Sequence, residues 1–194
     1  MPEGVAIIQG HPDPAGGHLC HALADAYAAG AVSAGHAVAR IEVARLDFPL
    51  LRTREEFTGR AVPESLDAAM LGIMGAQHLV IVFPLWLGTM PALLKGFLEQ
   101  VLRPGFAFEA REKGFPRGLL HGRSARLVVT MGMPALIYRW YFRAHGVRGL
   151  ERSILRFAGM GPVRETLLGS IEGVDDAERR RWLDRMEGYG RRLV

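Results

Sequence analysis

The sequence predicts an α/β fold in which one five-stranded parallel sheet lies between two layers of helices. Short apolar runs alternate with segments in which apolar residues recur at helical spacing. The third run, HLVIVFP at 78–84, is apolar nearly throughout, as a strand covered on both faces requires. A chain of 194 residues is long enough for one buried core and short for two, so a single domain spanning 1–194 is expected.

The first third of the chain is predicted to form a strand, a helix and a second strand. The apolar run VAIIQ, 5–9, ends at Gly10 and indicates a buried strand. After the loop HPDPAGG, a segment rich in Ala and Leu predicts a helix from His18 to about Ser33. The alternating pattern of HAVARIEV, 36–43, predicts the second strand.

The middle of the chain is predicted to place the third strand between two helices. Proline suits the first turn of a helix, and the segment from Pro63 to Gly75 is predicted to be helical. Its buried face is expected to hold Leu66, Met70, Ile73 and Met74. The strand at 78–84 follows, and Pro91 to Leu102 forms the next helix.

The last part of the chain begins with a long segment punctuated by glycine and proline, 103–125. Such a segment is unusual inside a compact domain and indicates a functional role. RLVVTMG, 126–132, predicts the fourth strand, and a strongly aromatic helix is predicted from Pro134 to about Ala144. VRETLLGSI, 163–171, is the fifth strand. The final helix, Asp175 to Leu193, is expected to bury one stripe, formed by Trp182, Met186, Tyr189 and Leu193.

Five strands in this rhythm suit the flavodoxin-like order 2-1-3-4-5, with helices on both faces of the sheet. Ligands of such sheets bind beyond the carboxyl ends of the strands, where the winding direction reverses. The ligand site is therefore expected at the loops after strands one, three and four, at 10–18, 84–91 and 130–138.

Charge and cysteine content limit the classes of function. The formal net charge is +4 and the pI is near 9.7, but the arginines lie near acidic residues, which disfavours a nucleic-acid surface. The single Cys20 excludes an internal disulfide and fits a reducing compartment. Because no signal peptide or long apolar run is present, a cytoplasmic protein without membrane insertion is expected. No metal site is predicted.

The loop after strand one has the composition of an anion site. Gly16 and Gly17 let the backbone approach a ligand, and the free N–H groups at the start of the next helix favour a phosphate. The loop is neither a GxGxxG fingerprint nor a P-loop, and such turns also occur without a ligand. For His11, the alternative to a ligand contact is a structural role. Cys20 is expected to be a small core residue.

The loops after strands three and four favour a planar ligand. In PLWLGTMP, 84–91, Trp86 offers a large flat surface and Gly88 allows close backbone approach, although packing under a helix is the alternative. The loop at 130–134 also ends at a proline. Aromatic or imidazole side chains follow, about half of them expected in the core: Tyr138, Trp140, Tyr141, Phe142 and His145. One phosphate site and one planar site together indicate a mononucleotide with an aromatic ring system, such as a flavin.

At these loops the chain resembles the flavodoxin-like NAD(P)H:quinone oxidoreductases, the DT-diaphorase family. The bacterial relatives of that family include the ancillary subunits of glutathione-gated potassium efflux systems. The similarity runs over roughly residues 5–172. Its most specific part is Pro84-x-Trp86-x4-Pro91-x3-Lys95-Gly96, followed by Val101 and FAF at 106–108. A second match comprises Thr130, Gly132, Tyr138 and His145.

The resemblance implies a bound flavin, FMN or FAD, with NAD(P)H as hydride donor. Its ring side would be held by Pro84, Leu85, Trp86, Leu87, Gly88, Thr130, Met131, Gly132, Met133 and Tyr138. The phosphate would contact His11. Because the loop lacks the Ser and Asn of the family, the other phosphate contacts would come from the backbone N–H groups of Gly17, His18, Leu19 and Cys20.

The resemblance also implies catalytic roles for two side chains. Tyr138 would donate to the flavin edge where negative charge develops on reduction, with packing of the aromatic helix as the alternative, and His145 would share or relay the proton. His145 lies one residue further from Tyr138 than in the usual pair of the family, which leaves its role open.

The implied activity is hydride transfer in two half-reactions, from NAD(P)H through the flavin to a quinone or similar acceptor. The alternative is a flavin-binding regulatory subunit of a potassium efflux or other transport system. A one-electron carrier is disfavoured because such proteins are usually acidic, and a phospho-receiver would need an aspartate where this chain has Phe83-Pro84. The apolar segment 103–117, with Phe106, Phe108 and Phe115, does not fit inside a five-stranded monomer and predicts a homodimer.

Overall fold

A computed structural model of the protein describes residues 3–59, 61–109, 111 and 113–194. Several segments of these residues form strands. In chain order they are β1 Gly4–Gln9, β2 Ala37–Glu42, β3 His78–Pro84, β4 Phe108–Glu109, β5 Arg117–Gly118, β6 Ser124–Thr130 and β7 Val163–Leu168. Five of them form one parallel sheet in the order β2-β1-β3-β6-β7, which confirms the predicted order. The short strands β4 and β5 pair antiparallel as a separate hairpin.

Helices cover both faces of this sheet. They are α1 Leu19–Ser33, α2 Arg54–Thr58, α3 Asp67–Gly75, α4 Ala92–Val101, α5 Ala135–Trp140, α6 His145–Gly149 and α7 Asp176–Arg192. A π-helical segment, Leu150–Arg156, continues α6. Along β1, Val5 and Ile7 pack with α1 and α7, whereas Ala6 and Ile8 pack with α3, α4 and the π-helical segment. Successive strand residues therefore face opposite cores.

Helices α1 and α7 approach each other closely because two glycines lie between them. A Cβ atom at Gly190 would come within 2.0 Å of the carbonyl oxygen of Tyr27, and one at Gly30 within 2.0 Å of that of Glu187. The carboxylate of Asp175 caps α7 by accepting a 2.7 Å hydrogen bond from the N–H of Glu178. The predicted stripe is confirmed, with three buried side chains and a half-buried one: Trp182, Met186, Leu193 and Tyr189.

Two predicted helices differ from the structure. The segment at 63–75 begins as a 3-10 turn, Glu64–Leu66, and Met74 is 53% exposed rather than part of the buried face. The helix predicted to reach Ala144 ends at Trp140, because Arg143 and Ala144 adopt left-handed backbone angles (φ 53° and 49°) that end a right-handed helix.

The segment at 103–117 fits inside the monomer better than its sequence suggested. Phe106 and Phe108 pack against the core, and the β4–β5 hairpin lies over it, with the N–H of Leu119 donating to the carbonyl of Ala107 at 2.8 Å. Phe115 alone of the three phenylalanines is exposed, at 90%. Ala110 and Glu112 lie outside the described residues. The expectation that this whole segment needs a partner is therefore wrong for Phe106 and Phe108.

Candidate functional site

Backbone hydrogen bonds bring the three predicted loops together at one edge of the sheet. The N–H of Gly10, just after β1, donates to the carbonyl of Val82 in β3 at 2.7 Å. The N–H of Leu85, just after β3, donates to the carbonyl of Thr130 at the end of β6, also at 2.7 Å. Because all of these strands are parallel, their carboxyl ends and the loops that follow them meet at this edge.

The loop after β3 forms a tight turn that projects from the sheet. Trp86 and Thr89 exchange two backbone hydrogen bonds of 2.9 and 3.0 Å. Between them Leu87 and Gly88 both have positive φ, 48° and 79°, the backbone pattern of a type I′ turn, in which glycine is favoured. Trp86 is 51% exposed and Leu87 is fully exposed, while Pro84 is buried at the end of the strand. The turn thus presents an apolar surface to solvent.

Tyr138 anchors this turn from below. Its side chain is 1% exposed, and its hydroxyl donates to the carbonyl of Gly88 at 3.0 Å and accepts from the N–H of Val147 at 3.3 Å. Burial raises the pKa of the phenol above its ordinary value. The hydroxyl expected at a flavin edge is therefore bonded to two backbone groups, and it ties the turn to α6.

The loop after β1 leaves backbone donors free at the start of α1. Gly16 and Gly17 have φ values of 79° and 78°, and a Cβ atom at either would meet no atom within 4 Å. His18 is the N-cap residue of α1, and no side chain within the described residues caps that helix. The N–H of His21 donates to the carbonyl of His18 at 2.9 Å, and the N–H groups that precede it at the helix start favour an anion.

Three imidazole rings surround this loop. His11 is only 9% exposed, its Nδ1 accepts from the N–H of Asp13 at 3.2 Å, and its ring stacks on His18 with centroids 3.9 Å apart. The ring of His21 lies 5.4 Å from that of His11. Burial, reinforced by the charges of His18 and His21, lowers the pKa of His11 to about 4. His11 is thus neutral at pH 7, and with Nδ1 as acceptor its Nε2–H remains as a donor.

Asp13 supplies the negative charge of this cluster. Its carboxylate lies 2.8 Å from Nε2 of His18 and accepts from the N–H of Ala15 at 2.8 Å. The hydrogen bond from His18 and then the N–H of Ala15 lower the pKa of Asp13. In the described ranges, no group of three or more His, Cys, Asp or Glu side chains has the geometry to hold a metal ion.

Cys20 and Thr130 join α1 to the end of β6 instead of facing a ligand. Their side chains are 2% and 1% exposed, and Sγ lies 3.2 Å from Oγ1. Burial raises the pKa of the thiol to about 11, so it stays protonated and unreactive at neutral pH. The prediction of Cys20 as a core residue is confirmed, and only its backbone N–H remains for the anion site.

The loop after β6 is held by the last part of the chain. The carbonyls of Met131 and Met133 accept from Ile171 and Ser170 at 3.3 and 3.1 Å. Met131 is buried and Met133 is half-buried, but Gly132 between them is exposed. Gly132 is therefore the open position of this loop.

A groove of about 870 Å³ lies beside the Trp86 turn. Its walls include Trp86, Leu87 and Pro91 from the turn, Lys95 from α4 and the exposed His145 from α6. His145 and Trp86 therefore share one groove, whereas the loops at 10–18 and 130–133 do not line it. Tyr138 does not line the groove but supports its wall from beneath.

Residues 4–188 match the sequence model of a protein family that is described by its flavodoxin-like fold. The chain belongs to this family. Among curated relatives it is similar to an uncharacterized NAD(P)H oxidoreductase of Haemophilus influenzae, 29% identical over 63% of this chain and 61% of that protein. It is also similar to an FMN-dependent NADH:quinone oxidoreductase of Bordetella avium, 32% identical over 40% of this chain and 38% of that one.

A solved structure agrees with this flavodoxin-like assignment over nearly the whole chain. The crystal structure of a Streptococcus mutans protein superposes with a TM-score of 0.81 and 26% identity, covering 97% of this chain and 99% of that one. The alignments to the curated relatives are shorter, and the chain spans about three fifths of the length of the first of them. These similarities confirm the predicted fold and the predicted family.

Sequence reasoning missed several features of this flavodoxin-like site. Asp13 and His21 lie beside the predicted anion loop but were not singled out, although His18 and His21 stand three residues apart on one helix face. The aromatic segment after β6 was expected to be about half buried. Only Tyr138 of its four aromatic residues is buried.

Proposed function

We propose that this protein binds FMN at the carboxyl edge of its sheet and is an NAD(P)H:quinone oxidoreductase. The observation that carries the proposal is the meeting of an uncapped helix start, a neutral imidazole donor and an apolar projecting turn at that edge. A phosphate and a flat ring are the two halves of FMN. The Bordetella avium relative is named as FMN-dependent, and that name favours FMN over FAD.

The phosphate end of the site fits an anion. The backbone N–H groups of residues 17–20 and Nε2–H of His11 are the proposed donors. The open glycines at 16 and 17 leave space for the phosphate to approach them.

The ring end of the site fits a flat apolar group with polar edges. Residues 84–88 are proposed to lie along one edge of the ring and residues 130–133 along the other, since Leu85 and Thr130 are joined by a backbone hydrogen bond. The bound flavin supplies the redox chemistry, so that NAD(P)H, a proton and a quinone give NAD(P)⁺ and a quinol.

His145 is the proposed proton donor of this reaction, because it is exposed in the same groove as Trp86. Tyr138 is proposed as a positioning residue, because its hydroxyl holds the Gly88 carbonyl. Stopped-flow reduction of the FMN-loaded protein by NADH and NADPH, followed by reoxidation with a water-soluble benzoquinone, tests the role of His145. We expect His145→Gln to slow one of the two half-reactions, flavin reduction or quinone reduction, by about tenfold with FMN affinity unchanged. If neither NADH nor NADPH reduces the FMN of the wild-type protein, the proposed activity is refuted.

A homodimer is part of the proposal. A second apolar groove, of about 360 Å³, lies between α2, α4 and the π-helical segment, with Phe57, Phe108 and Phe157 among its walls. Such a surface suits a second copy of the chain. Cytoplasmic location also stays a prediction; none of the helices in the described ranges combines the length and apolar character needed to cross a bilayer. No observation favours the regulatory subunit of a transport system.

A further inference from the structure

Helix α5 carries its apolar face outward. Leu136, Ile137, Trp140 and Tyr141 are 70%, 48%, 77% and 80% exposed, and Phe142, just after the helix, is 45% exposed. At 100° per residue the first four lie within one 140° arc, and the buried Tyr138 lies outside that arc. An ordinary surface helix has the opposite arrangement, with its apolar stripe toward the core. We name the five exposed side chains the α5 face.

The segment that carries the α5 face is basic, and Glu165 of β7 is an acidic residue that lies beside it. Residues 134–150 contain Arg139, Arg143 and Arg148 and no Asp or Glu. All three arginines are exposed. The nearest acidic partner of Arg139 is Glu165, at the limiting distance of 4.0 Å. The surface therefore combines aromatic and aliphatic side chains with positive charge.

We propose that the α5 face docks the protein peripherally on an anionic lipid bilayer. Trp and Tyr prefer the boundary between headgroups and hydrocarbon, because each has an apolar ring and one polar group. A short helix with such residues on one face and arginines at its margins lies in the plane of that boundary. Anionic headgroups attract these exposed arginines, and each basic residue near the surface adds roughly a fivefold gain in affinity.

A second copy of the chain fits the α5 face less well. In a two-fold symmetric contact the same surface meets itself, which would bring the arginines at its margins near the equivalent arginines of the other copy. The groove between α2, α4 and the π-helical segment does not include these arginines and suits that role better. A bilayer therefore matches both the apolar and the charged parts of the α5 face.

Docking through the α5 face also indicates the class of the electron acceptor, and this step rests on the proposed function. The hydroxyl of Tyr138 in α5 bonds to Gly88 in the Trp86 turn, so the α5 face and the proposed flavin site share one edge of the molecule. Docking then turns that site toward the membrane. The acceptor class that follows is a quinone dissolved in the bilayer, reduced by two electrons and two protons to its quinol.

Sedimentation with vesicles tests the docking itself, with or without flavin. The purified protein is mixed with vesicles of phosphatidylcholine alone or with phosphatidylglycerol added, and the bound fraction is measured. We expect binding to the anionic vesicles that falls as salt is raised, and at least a tenfold weaker affinity for the neutral ones. The double variant Trp140→Ser, Tyr141→Ser and the double variant Arg139→Gln, Arg143→Gln should each weaken binding by about tenfold or more.

Matched controls exist elsewhere on the surface. Phe115→Ser removes an exposed aromatic ring outside α5, and Arg180→Gln with Arg185→Gln removes two exposed arginines of α7; both should bind as the wild type does. Circular dichroism and FMN titration show whether each variant folds. If the wild type does not bind anionic vesicles, or if the Trp140, Tyr141 variant binds them equally well, the proposal is overturned.

Two further outcomes separate the remaining possibilities. If the wild type does not bind vesicles and the Trp140, Tyr141 variant loses its dimeric mass, the α5 face is a contact between copies and the proposal is wrong. If vesicle binding depends on the α5 face but FMN does not bind, docking stands and the proposed function fails. For the acceptor, the Trp140, Tyr141 variant should reduce a long-chain quinone in vesicles at least fivefold more slowly. It should reduce a water-soluble quinone at the wild-type rate; equal slowing of both would refute the membrane acceptor.

Discussion

At the scale of single residues, Tyr138 shows where reasoning from sequence stops. The resemblance implies that its hydroxyl lies at a flavin edge, whereas in the structure this hydroxyl donates to the Gly88 carbonyl beneath the Trp86 turn. Its orientation follows from the left-handed residues Arg143 and Ala144, which bring Val147 back onto the hydroxyl. Left-handed angles at non-glycine residues are rare and have no dependable sequence pattern. By contrast, the turn at Gly88 and the core position of Cys20 follow from residue type alone.

The first prediction concerns the stability of this contact. Tyr138→Phe leaves the partly buried carbonyl of Gly88 and the buried N–H of Val147 without their partner, and we expect it to lower the free energy of unfolding by about 1–3 kcal/mol. Urea titration measures this. Tyr141→Phe, at a position 80% exposed, should change it by less than about 0.5 kcal/mol. Equal stability of the two variants would show that the hydroxyl does not hold the turn.

The second prediction concerns buried histidine. His78 is 1% exposed, its Nδ1 bonds to Ser124 at 2.7 Å, and burial with the charges of Arg126 and Arg164 lowers its pKa to about 4. The unfolded chain titrates near 6.5, so from pH 6.5 down to about 4 only the unfolded state binds this proton. Stability should therefore fall with pH in that window, by up to about 1.4 kcal/mol per pH unit from this residue.

Urea titrations across that window test the assignment to His78. His78→Asn should remove one proton equivalent from the slope. A His78→Asn slope equal to that of the wild type would assign the acid sensitivity to other groups.

At the scale of elements, the ends of helices separate what could be predicted from what could not. Helix α7 has an acidic first turn and an Asp175 cap, and its predicted bounds differ from the observed ones by one residue at each end. Helix α2 and the β4–β5 hairpin were not predicted, because each has too few residues to show a period. The outward apolar face of α5 was also missed, since periodicity locates an apolar stripe but not the side of the helix that meets the core.

The third prediction compares two glycines of α7. Gly190→Ala would place a Cβ atom 2.0 Å from the Tyr27 carbonyl oxygen and must push α7 away from α1, so we expect a loss of about 1–3 kcal/mol or more. Gly188→Ala meets only the end of the Arg192 side chain, at 4.0 Å, and should stabilise the helix by up to about 1 kcal/mol. Thermal unfolding of both variants measures the difference; a neutral Gly190→Ala would mean that the helices are not in close contact.

At the scale of the whole molecule, the sheet order and the meeting of three loops at one edge could be predicted, because parallel strands joined by helices leave few topologies. The partner surface could not. Phe106 and Phe108 are predicted from the sequence to be excess apolar surface but pack inside the chain, so the dimer prediction now depends on the groove between α2, α4 and the π-helical segment.

The fourth prediction is that the protein is a homodimer at micromolar concentration. Light scattering should give about twice the mass of 21.3 kDa. Phe157→Asp, which puts a charge into the groove beside α4, should shift the mass toward that of the monomer, while Phe115→Asp at the exposed hairpin serves as the comparison. A wild-type mass of one chain, unchanged by added FMN, would contradict the prediction.

The central claim is that the edge of the sheet binds FMN with its phosphate at the loop after β1, and equilibrium titration with FMN and riboflavin tests it most directly. The two ligands share the ring and differ by the phosphate, whose hydrogen bonds to backbone N–H groups are worth about 1.5–3 kcal/mol each. We predict micromolar or tighter binding of FMN and at least about tenfold weaker binding of riboflavin. Equal affinities, or no binding of either flavin at micromolar concentration, would contradict the account.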